Sequence, residues 1–332
     1  MDINNNRMEK LQKRKRKRKR WVVLFVILLF LLGGAGIMAA EFWSSIYETR
    51  DPLDEDLKNA IENKKNELDP DSLLADDAFL KNRKNGPFTV LLLGVDTNDA
   101  EQGRTDTMMV AIVDPKDNEV SLVSIPRDMR VEIIGRGEYG KINSAYAWGG
   151  INMAIATVEH FLEIPIDYYA TVDFKGFQAL VDAIGGIELN VEKDMTFWDR
   201  LSKQYVSLEA GPQTLNGFEA LNYARFRGDA EGDFGRNRRQ QQVVSAILDQ
   251  TIDLRNVTNL TEISEALGDN VRTDISFTKM VSLAGSLKMS GDEVESIKYD
   301  AYPTRIGNTS YVTIDDAELE RLQGILEDRL KN

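Results

Sequence analysis

Residues 87–128 read PFTVLLLGVDTNDAEQGRTDTMMVAIVDPKDNEVSLVSIPRD. Phe88 to Leu93 is a short apolar run bounded by Gly and Asp, the mark of a buried strand. Thr107 to Val113 and Val120 to Ile125 read as two more strands, and Asp114-Pro115-Lys116-Asp117-Asn118 gives them a hairpin turn. If the first two strands are antiparallel neighbours, the end of one and the start of the next meet at one edge of a sheet. Asp96 and Asp106 then lie close together with Arg104 beside them. The third strand leaves into Ser124-Ile125-Pro126-Arg127-Asp128.

Working outward, the periods alternate between strand and helix. Gly150 to Leu162 reads as an amphipathic helix, Tyr168 to Val172 as a strand, Phe174 to Ile184 as a helix and Ile187 to Val191 as a strand. Ser296 to Tyr302 and Ser310 to Ile314 suggest late strands. Asp315 to Leu330 is a closing helix with Asp315 as N-cap and Leu319, Leu322, Leu326 and Leu330 as its buried stripe. The pattern predicts an α/β fold, one domain over 87–332 with a central mixed β-sheet flanked by helices.

Asn222 to Gln242 reads NYARFRGDAEGDFGRNRRQQQ and places Arg225, Arg227, Arg236, Arg238 and Arg239 close together. Ten of the chain's 41 Lys/Arg and two of its 54 Asp/Glu fall in residues 1–20, so the rest is strongly acidic. A knot of guanidiniums in such a chain needs an anion, and their planar donor forks suit phosphate. Arg225 and Arg227 end a short apolar-periodic stretch and are expected to leave it on one side together. Gly228 to Gly235 is a loop by composition. From Arg236 the sequence reads as a helix, with Arg236, Arg239 and Gln240 on one face at i, i+3 and i+4 and Arg238 elsewhere. These residues are expected in the first turn, where free N–H groups and the helix dipole also favour an anion. The plainer reading is a set of surface arginines paired with Asp229, Glu231 and Asp233.

The N-terminal part sets the location. Residues 1–20 end in an unbroken basic run, Lys13 to Arg20, and Trp21 to Ala40 carries no charge. Twenty apolar residues at ~1.5 Å rise cross the roughly 30 Å hydrocarbon core. The basic run lies on one side only, so the positive-inside rule predicts a single-pass cell-membrane protein with a cytoplasmic N-terminus and an extracytoplasmic body. A cleaved signal peptide is the alternative, but its apolar core is ~7–15 residues long. Beside a membrane span, the basic tail is a topology signal and a lipid-headgroup contact rather than a nucleic-acid reader. Residues 41–86 are polar with scattered apolar positions, a stalk with some helix that either lifts the body off the membrane or packs on it. With no cysteine and one histidine, His160, the chain offers no His-paired nucleophile and no zinc cluster, which removes most hydrolase chemistries.

Ligands of open α/β sheets gather outside strand ends. Two carboxylates, Asp96 and Asp106, beside arginines can hold Mg2+, with Mn2+ as second candidate; such an ion takes one or two carboxylates plus waters and substrate phosphates. The constellation suits pyrophosphate cleavage or phosphoryl transfer, in which catalysis is mostly positioning and charge neutralisation. Read singly, each aspartate could simply pair with an arginine or cap a turn.

The G-V-D and R-T-D-T of 94–107, S-I-P-R-D at 124–128, K-I-N-S-A-Y at 141–146, and Y-A-R-F-R with G-D-F-G-R-N-R-R-Q-Q over 223–241 together resemble the LytR-CpsA-Psr family. The likeness covers about residues 87–253 and departs at none of the charged motif positions. It implies a membrane-anchored ligase that moves an anionic polymer, wall teichoic acid first among the choices, from a polyprenyl pyrophosphate carrier to a peptidoglycan hydroxyl as a phosphodiester. By position it implies Asp96 and Asp106 as Mg2+-linked acids. It implies Arg104, Arg127, Arg225, Arg227, Arg236 and Arg239 as pyrophosphate-binding arginines, and Gln240 as site-lining. Arg104 and Arg127 join the two acids as catalytic candidates, and Asp96 is the candidate acceptor of the hydroxyl proton. A pyrophosphatase, a capture module without turnover and a transcriptional attenuator are the competing readings. Arg272 and Asp274 could touch the site or only shape a loop.

Overall fold

The computed structural model describes residues 44, 46–68, 72–74, 76, 79–80, 86–95, 103, 105–117, 119–199, 202–228, 232–249, 268, 270–276, 279 and 294–331. The expected tail and span at 1–40, together with Asp96 and Arg104, lie outside the described residues. Among the described residues no helix is long and apolar enough to cross a membrane.

In chain order the elements are α1 (Glu55–Glu67), β1 (Phe88–Val95), β2 (Thr105–Asp114), β3 (Glu119–Ser124), β4 (Arg130–Ile133), β5 (Glu138–Lys141), α2 (Ser144–Leu162), β6 (Tyr168–Asp173), α3 (Phe174–Ala183), β7 (Ile187–Val191), β8 (Met195–Asp199), β9 (Gln204–Leu208), β10 (Gly211–Leu215), α4 (Gly217–Arg225), α5 (Gly232–Asp249), β11 (Val271–Thr273), β12 (Val294–Ser296), β13 (Tyr302–Ile306), β14 (Thr309–Thr313) and α6 (Asp316–Lys331). Six strands form the central sheet in the order β11-β6-β1-β2-β3-β12. It is mixed, because β1 and β6 are parallel, as are β3 and β12, while the other neighbours are antiparallel.

The hydrophobic alternation of β1 and β2 decides what each face meets. Leu91, Leu93 and Val95 pack with Met108, Val110 and Ile112 into one core that also takes Val158 and Leu162 of α2 and Leu322, Leu326 and Leu330 of α6. A second core forms where α3, α4 and α5 meet the hairpin strands β7–β10, around Val181, Ile187, Val206, Tyr223, Val243 and Ile247. Its tightest point is Gly217, where an added Cβ would stand 2.2 Å from the Gln178 carbonyl oxygen. Only glycine lets α4 start so close to α3. Asn216 then caps α4 through a capping box with Glu219.

The described part of 41–86 packs on the body. Ile46 is buried, Tyr47 bridges to Thr273, and Arg50 Nε donates to Asp274 at 2.6 Å. Leu57 of α1 is buried against Ile134 and Ala156. The same Asp274 accepts from the Tyr169 amide at 2.8 Å, so it latches the incoming chain to β6. Arg272 donates to the Gly268 and Val271 carbonyls.

Three expectations change. Helix α2 begins at Ser144 rather than Gly150, with non-helical backbone at Gly149 and Gly150. The late strand over 296–302 is two pieces: β12 ends at Ser296, and the chain re-enters strand structure at Tyr302 to pair with β14. Between them Tyr299 is drawn to the Ser124 carbonyl and the Asp300 amide to Glu318, so side-chain contacts replace a continuous ladder. Helix α5 begins at Gly232, not Arg236. Gly232, Asp233 and Gly235 read as loop by propensity, yet the helix runs through them.

Candidate functional site

The edge of the sheet at the C-terminal end of β1 gathers the charged motifs. Between Gly94↔Thr107 and Val95↔Thr105 the β1–β2 register slips, leaving Asp106 as the extra residue of a β-bulge. Bulges re-aim side chains. The β2–β3 ladder runs through Met109↔Ser124, and the Ile125 amide donates to Met108 O at 2.8 Å. Continued two residues, that register brings Arg127 opposite Asp106, and the Arg127 guanidinium donates to the Asp106 carboxylate. Asp128 follows, 3.9 Å from Arg127 Nε, and takes an ion pair from Lys141 Nζ at 2.7 Å. The result is an alternating row, Asp106–Arg127–Asp128–Lys141, with every member partly exposed.

A second limb comes from α4 and α5. Arg225 ends α4, where its guanidinium donates to Asp199 of β8 at 3.2 Å and stands 4.6 Å over the Phe174 ring. Phe174 directly follows β6, whose last residue Asp173 lies level with Val95. The strand ends bearing Phe174 and Asp106 are therefore two strand spacings, about 10 Å, apart. Arg227 is exposed while Arg225 is half-buried, so the two do not share an environment. Arg236, Arg239 and Gln240 do share one face of α5, and it is buried: Arg236 is 2% and Arg239 0% exposed, with Gln240 close behind.

Arg239 is held from three sides. It donates to the Phe226 carbonyl at 2.7 Å, lies 5.2 Å over the Phe226 ring, and has Glu192 at 3.6 Å. Glu192 also takes a two-pronged bond from Arg238 at 2.7 and 2.9 Å and a contact from Gln242 at 3.1 Å. Hydrogen bonds from Arg238, outweighing burial, hold the Glu192 carboxyl below the ordinary range. Gln242 accepts from Tyr223 at 2.7 Å, and burial pushes that phenol up to about 12, so it stays a donor. Because α5 begins four residues early, Arg236 and Arg239 project from beyond its first turn. The free N–H groups of the helix start belong to the residues from Gly232 onward.

One helix joins the two limbs. Gln241 donates to Ser124 at the end of β3 at 2.9 Å, while Arg239, two residues away on the other side of the helix, reaches Phe226 behind Arg225. Arg236 lies five residues before Gln241, about 7.5 Å along the axis. Sequence reading missed Asp199, Glu192 and the Asp128–Lys141 pair. Lys141 and Asp128 carried a signal, as the first residue of K-I-N-S-A-Y and the last of S-I-P-R-D; Asp199 and Glu192 meet their arginines across 26 and 46 residues with no spacing rule to announce it.

A family model for LytR_cpsA_psr matches residues 45–328, most of the chain. The chain belongs to the LytR-CpsA-Psr family. Among its relatives, the polyisoprenyl-teichoic acid–peptidoglycan teichoic acid transferase TagU of Halalkalibacterium halodurans is 42% identical over 248 residues, covering 74% of this chain and 80% of the relative. The B. subtilis TagV crystal structure superposes with a TM-score of 0.65 at 34% identity, over 75% of this chain and 98% of that one. A structure of TagT bound to LI-WTA has a TM-score of 0.62 at 30% identity, over 76% and 93%. The family's mixed α/β domain is thus the fold seen here. The matched region begins at residue 45, so the segment latched by Asp274 lies within it.

Proposed function

We propose that this chain is a transferase that moves an anionic glycopolymer, a teichoic acid in the first instance, from a polyprenyl pyrophosphate carrier to a peptidoglycan hydroxyl. The observation that carries the reading is α5 joining two limbs of guanidiniums across one sheet edge, in a chain whose relatives bear the transferase name. A diphosphate has more acceptor oxygens than one arginine can satisfy, and two limbs about 10 Å apart can hold it from both ends.

In the proposed reaction, the acceptor hydroxyl oxygen attacks the phosphorus next to the polymer, and a new P–O bond forms. The P–O bond to the lipid-side phosphate breaks, polyprenyl phosphate leaves, and the hydroxyl proton passes to Asp96. Arg127 and Arg225 neutralise the charge that develops, the largest service an enzyme gives to phosphoryl transfer. Buried Arg236 and Arg239 fix the geometry of that edge.

The donor set fits Mg2+, or Mn2+ in its place. Asp106 presents a partly exposed carboxylate at the bulge, and among the described residues no group of three or more His, Cys, Asp or Glu competes for a metal. A Mg2+ site of this kind needs one or two carboxylates and completes its shell with water and phosphate oxygens. Asp106 with Asp96 would hold it, and when bound it would supply further neutralisation of the phosphate charge. Location at the outer face of the cell membrane, anchored by residues 21–40, belongs to the same proposal.

The test uses the full chain in lipid nanodiscs with a synthetic polyprenyl-pyrophosphate saccharide, a peptidoglycan oligomer and Mg2+. Mass spectrometry should find a phosphodiester-linked saccharide on the glycan, lost with Arg127→Ala and Asp106→Ala. Asp96→Asn should abolish transfer while sparing donor binding, and a fully active variant removes Asp96 from the proton step. Polyprenyl phosphate release with no adduct would return the pyrophosphatase reading.

A further inference from the structure

The β8–β9 hairpin has two unlike faces. Met195, Phe197 and Val206, with Leu208, turn into the second core, and Asp199 turns inward to hold Arg225. The outer face carries the cross-strand pairs Thr196↔Ser207 and Trp198↔Tyr205. The two hydroxyls stand 3.2 Å apart, and the two rings meet edge to face at 5.1 Å. Trp198 is 50% and Tyr205 74% exposed.

A cross-strand aromatic pair can serve the hairpin alone. Two features point further. Two of the other exposed aromatics carry a cation: Arg130 lies 4.3 Å over Tyr139 and Arg136 4.3 Å over Trp148. Among the described residues no cation stands over Trp198 or Tyr205. The hairpin also borders the candidate site, since Asp199, next to Trp198 in sequence and on the opposite face, holds Arg225.

We propose that this outer face docks the glycan strand of the peptidoglycan acceptor. The inference rests on the transferase reading, which requires a second substrate rich in pyranose rings. The apolar C–H face of a pyranose lies against an aromatic ring, and its hydroxyl and N-acetyl groups find partners in Thr196 and Ser207. Trp and Tyr give such contacts at small entropic cost, because each ring is fixed by two torsions. A bilayer surface would call for an aliphatic band with basic flanks; here half the positions of the face are hydroxyls. A glycan held on the outer face would meet Arg225 by passing the edge of the hairpin, because Asp199 holds Arg225 from the inner face.

The test compares acceptor and donor kinetics of the full chain in nanodiscs. Trp198→Ala and Tyr205→Ala should each raise the peptidoglycan-oligomer KM about tenfold, the scale of a lost ring stack, with donor KM within twofold. Trp198→Phe keeps the packing and should recover most of the loss. Thr196→Val with Ser207→Ala should raise acceptor KM about threefold without touching the aromatic pair. Titrating the wild type with a peptide-free glycan oligomer should give a saturable indole fluorescence change that is absent in Trp198→Phe. If the wild type makes no adduct, the transferase reading itself falls. If it does and the acceptor KM of the alanine variants stays within twofold, the docking face alone is overturned. A rise in donor KM with acceptor KM unmoved would likewise overturn it, assigning the face to the lipid or the bilayer.

Discussion

The two limbs of the site hold their charges in opposite ways. On the strand-edge limb Asp106, Arg127, Asp128 and Lys141 alternate in sign and all keep part of their surface in water. On the helix limb Arg236 and Arg239 are buried on α5, and Arg239 is fixed by a carbonyl, a ring and a carboxylate. A partly exposed ion pair contributes less to stability than a buried one, so its members can exchange partners when a phosphate arrives. A buried guanidinium must be compensated within the protein. The comparison separates a limb suited to chemistry from one that builds the edge.

The sharpest way to test that division is Arg127→Ala. Removing one donor aimed at developing charge costs about 10²–10³ in rate, and transfer should fall by that much. Unfolding stability should change by no more than about 1–2 kcal/mol, less than for a fully buried pair, because the Asp106 pair is partly solvated. Steady-state transfer and thermal melts of the same preparation check both halves. A variant that keeps its rate but melts early would place Arg127 with the building limb instead.

How far the sequence foretold this division depends on the physical signal behind each part. Strands β1 to β3 are legible because Leu91–Leu93, Val110–Val113 and Leu122–Val123 are apolar runs between turn residues, and their antiparallel order follows from the five-residue turn at 114–118. The shared face of Arg236, Arg239 and Gln240 is legible from helical spacing alone. Its burial is not, since three polar side chains on one face ordinarily mean solvent. The partners that make burial tolerable, Phe226 O and Glu192, come from elements 13 and about 47 residues away. The start of α5 is not legible because Gly232, Asp233 and Gly235 have poor helix propensity, although the chain is helical through them. The hairpins β4–β5 and β8–β9 lack apolar runs and were not anticipated.

Glu192→Gln breaks the helix limb. Arg239 would lose its carboxylate while remaining buried, at a cost of about 2–3 kcal/mol, less than for a fully buried pair because Glu192 is partly solvated. The effect should depend on pH with a definite sign. Arg238 holds the Glu192 carboxyl below its ordinary value in the folded chain. The stabilisation is fully present above the unfolded value of about 4.3 and is lost as pH falls through the depressed folded value. The gap in denaturation midpoint between wild type and Glu192→Gln should thus be constant near neutrality and close below about pH 4. A gap that widened in acid would contradict the assignment of Glu192 as the clamp.

Gly217→Ala reaches the same limb through its foundation. The new Cβ would meet the Gln178 carbonyl 2.2 Å away, backbone that cannot rotate aside. Overpacking of this kind costs about 1–3 kcal/mol. Pushing α4 off α3 also shifts Arg225 from Phe174, so donor affinity should fall together with stability. Loss of stability with donor affinity intact would show that Arg225 is placed by Asp199 alone.

The smallest expected effect belongs to Arg238→Ala, and it is the closest control for the second limb. Arg238 shares Glu192 with Arg239 and bonds it with two prongs, yet its side chain is 45% exposed. Water at Glu192 takes the place of the removed guanidinium, so unfolding stability should fall by less than about 1 kcal/mol. Glu192 keeps Arg239 at 3.6 Å and the contact from Gln242, so the buried charge is not stranded. Because Arg238 supplies the largest pull on the Glu192 carboxyl, its removal should bring that carboxyl's titration upward, measurable by carbon-detected NMR of labelled glutamate. A loss as large as that of Glu192→Gln would mean that Arg238, not Arg239, is the residue for which Glu192 is kept, and the contrast between an exposed and a buried limb would have to be redrawn within α5 itself.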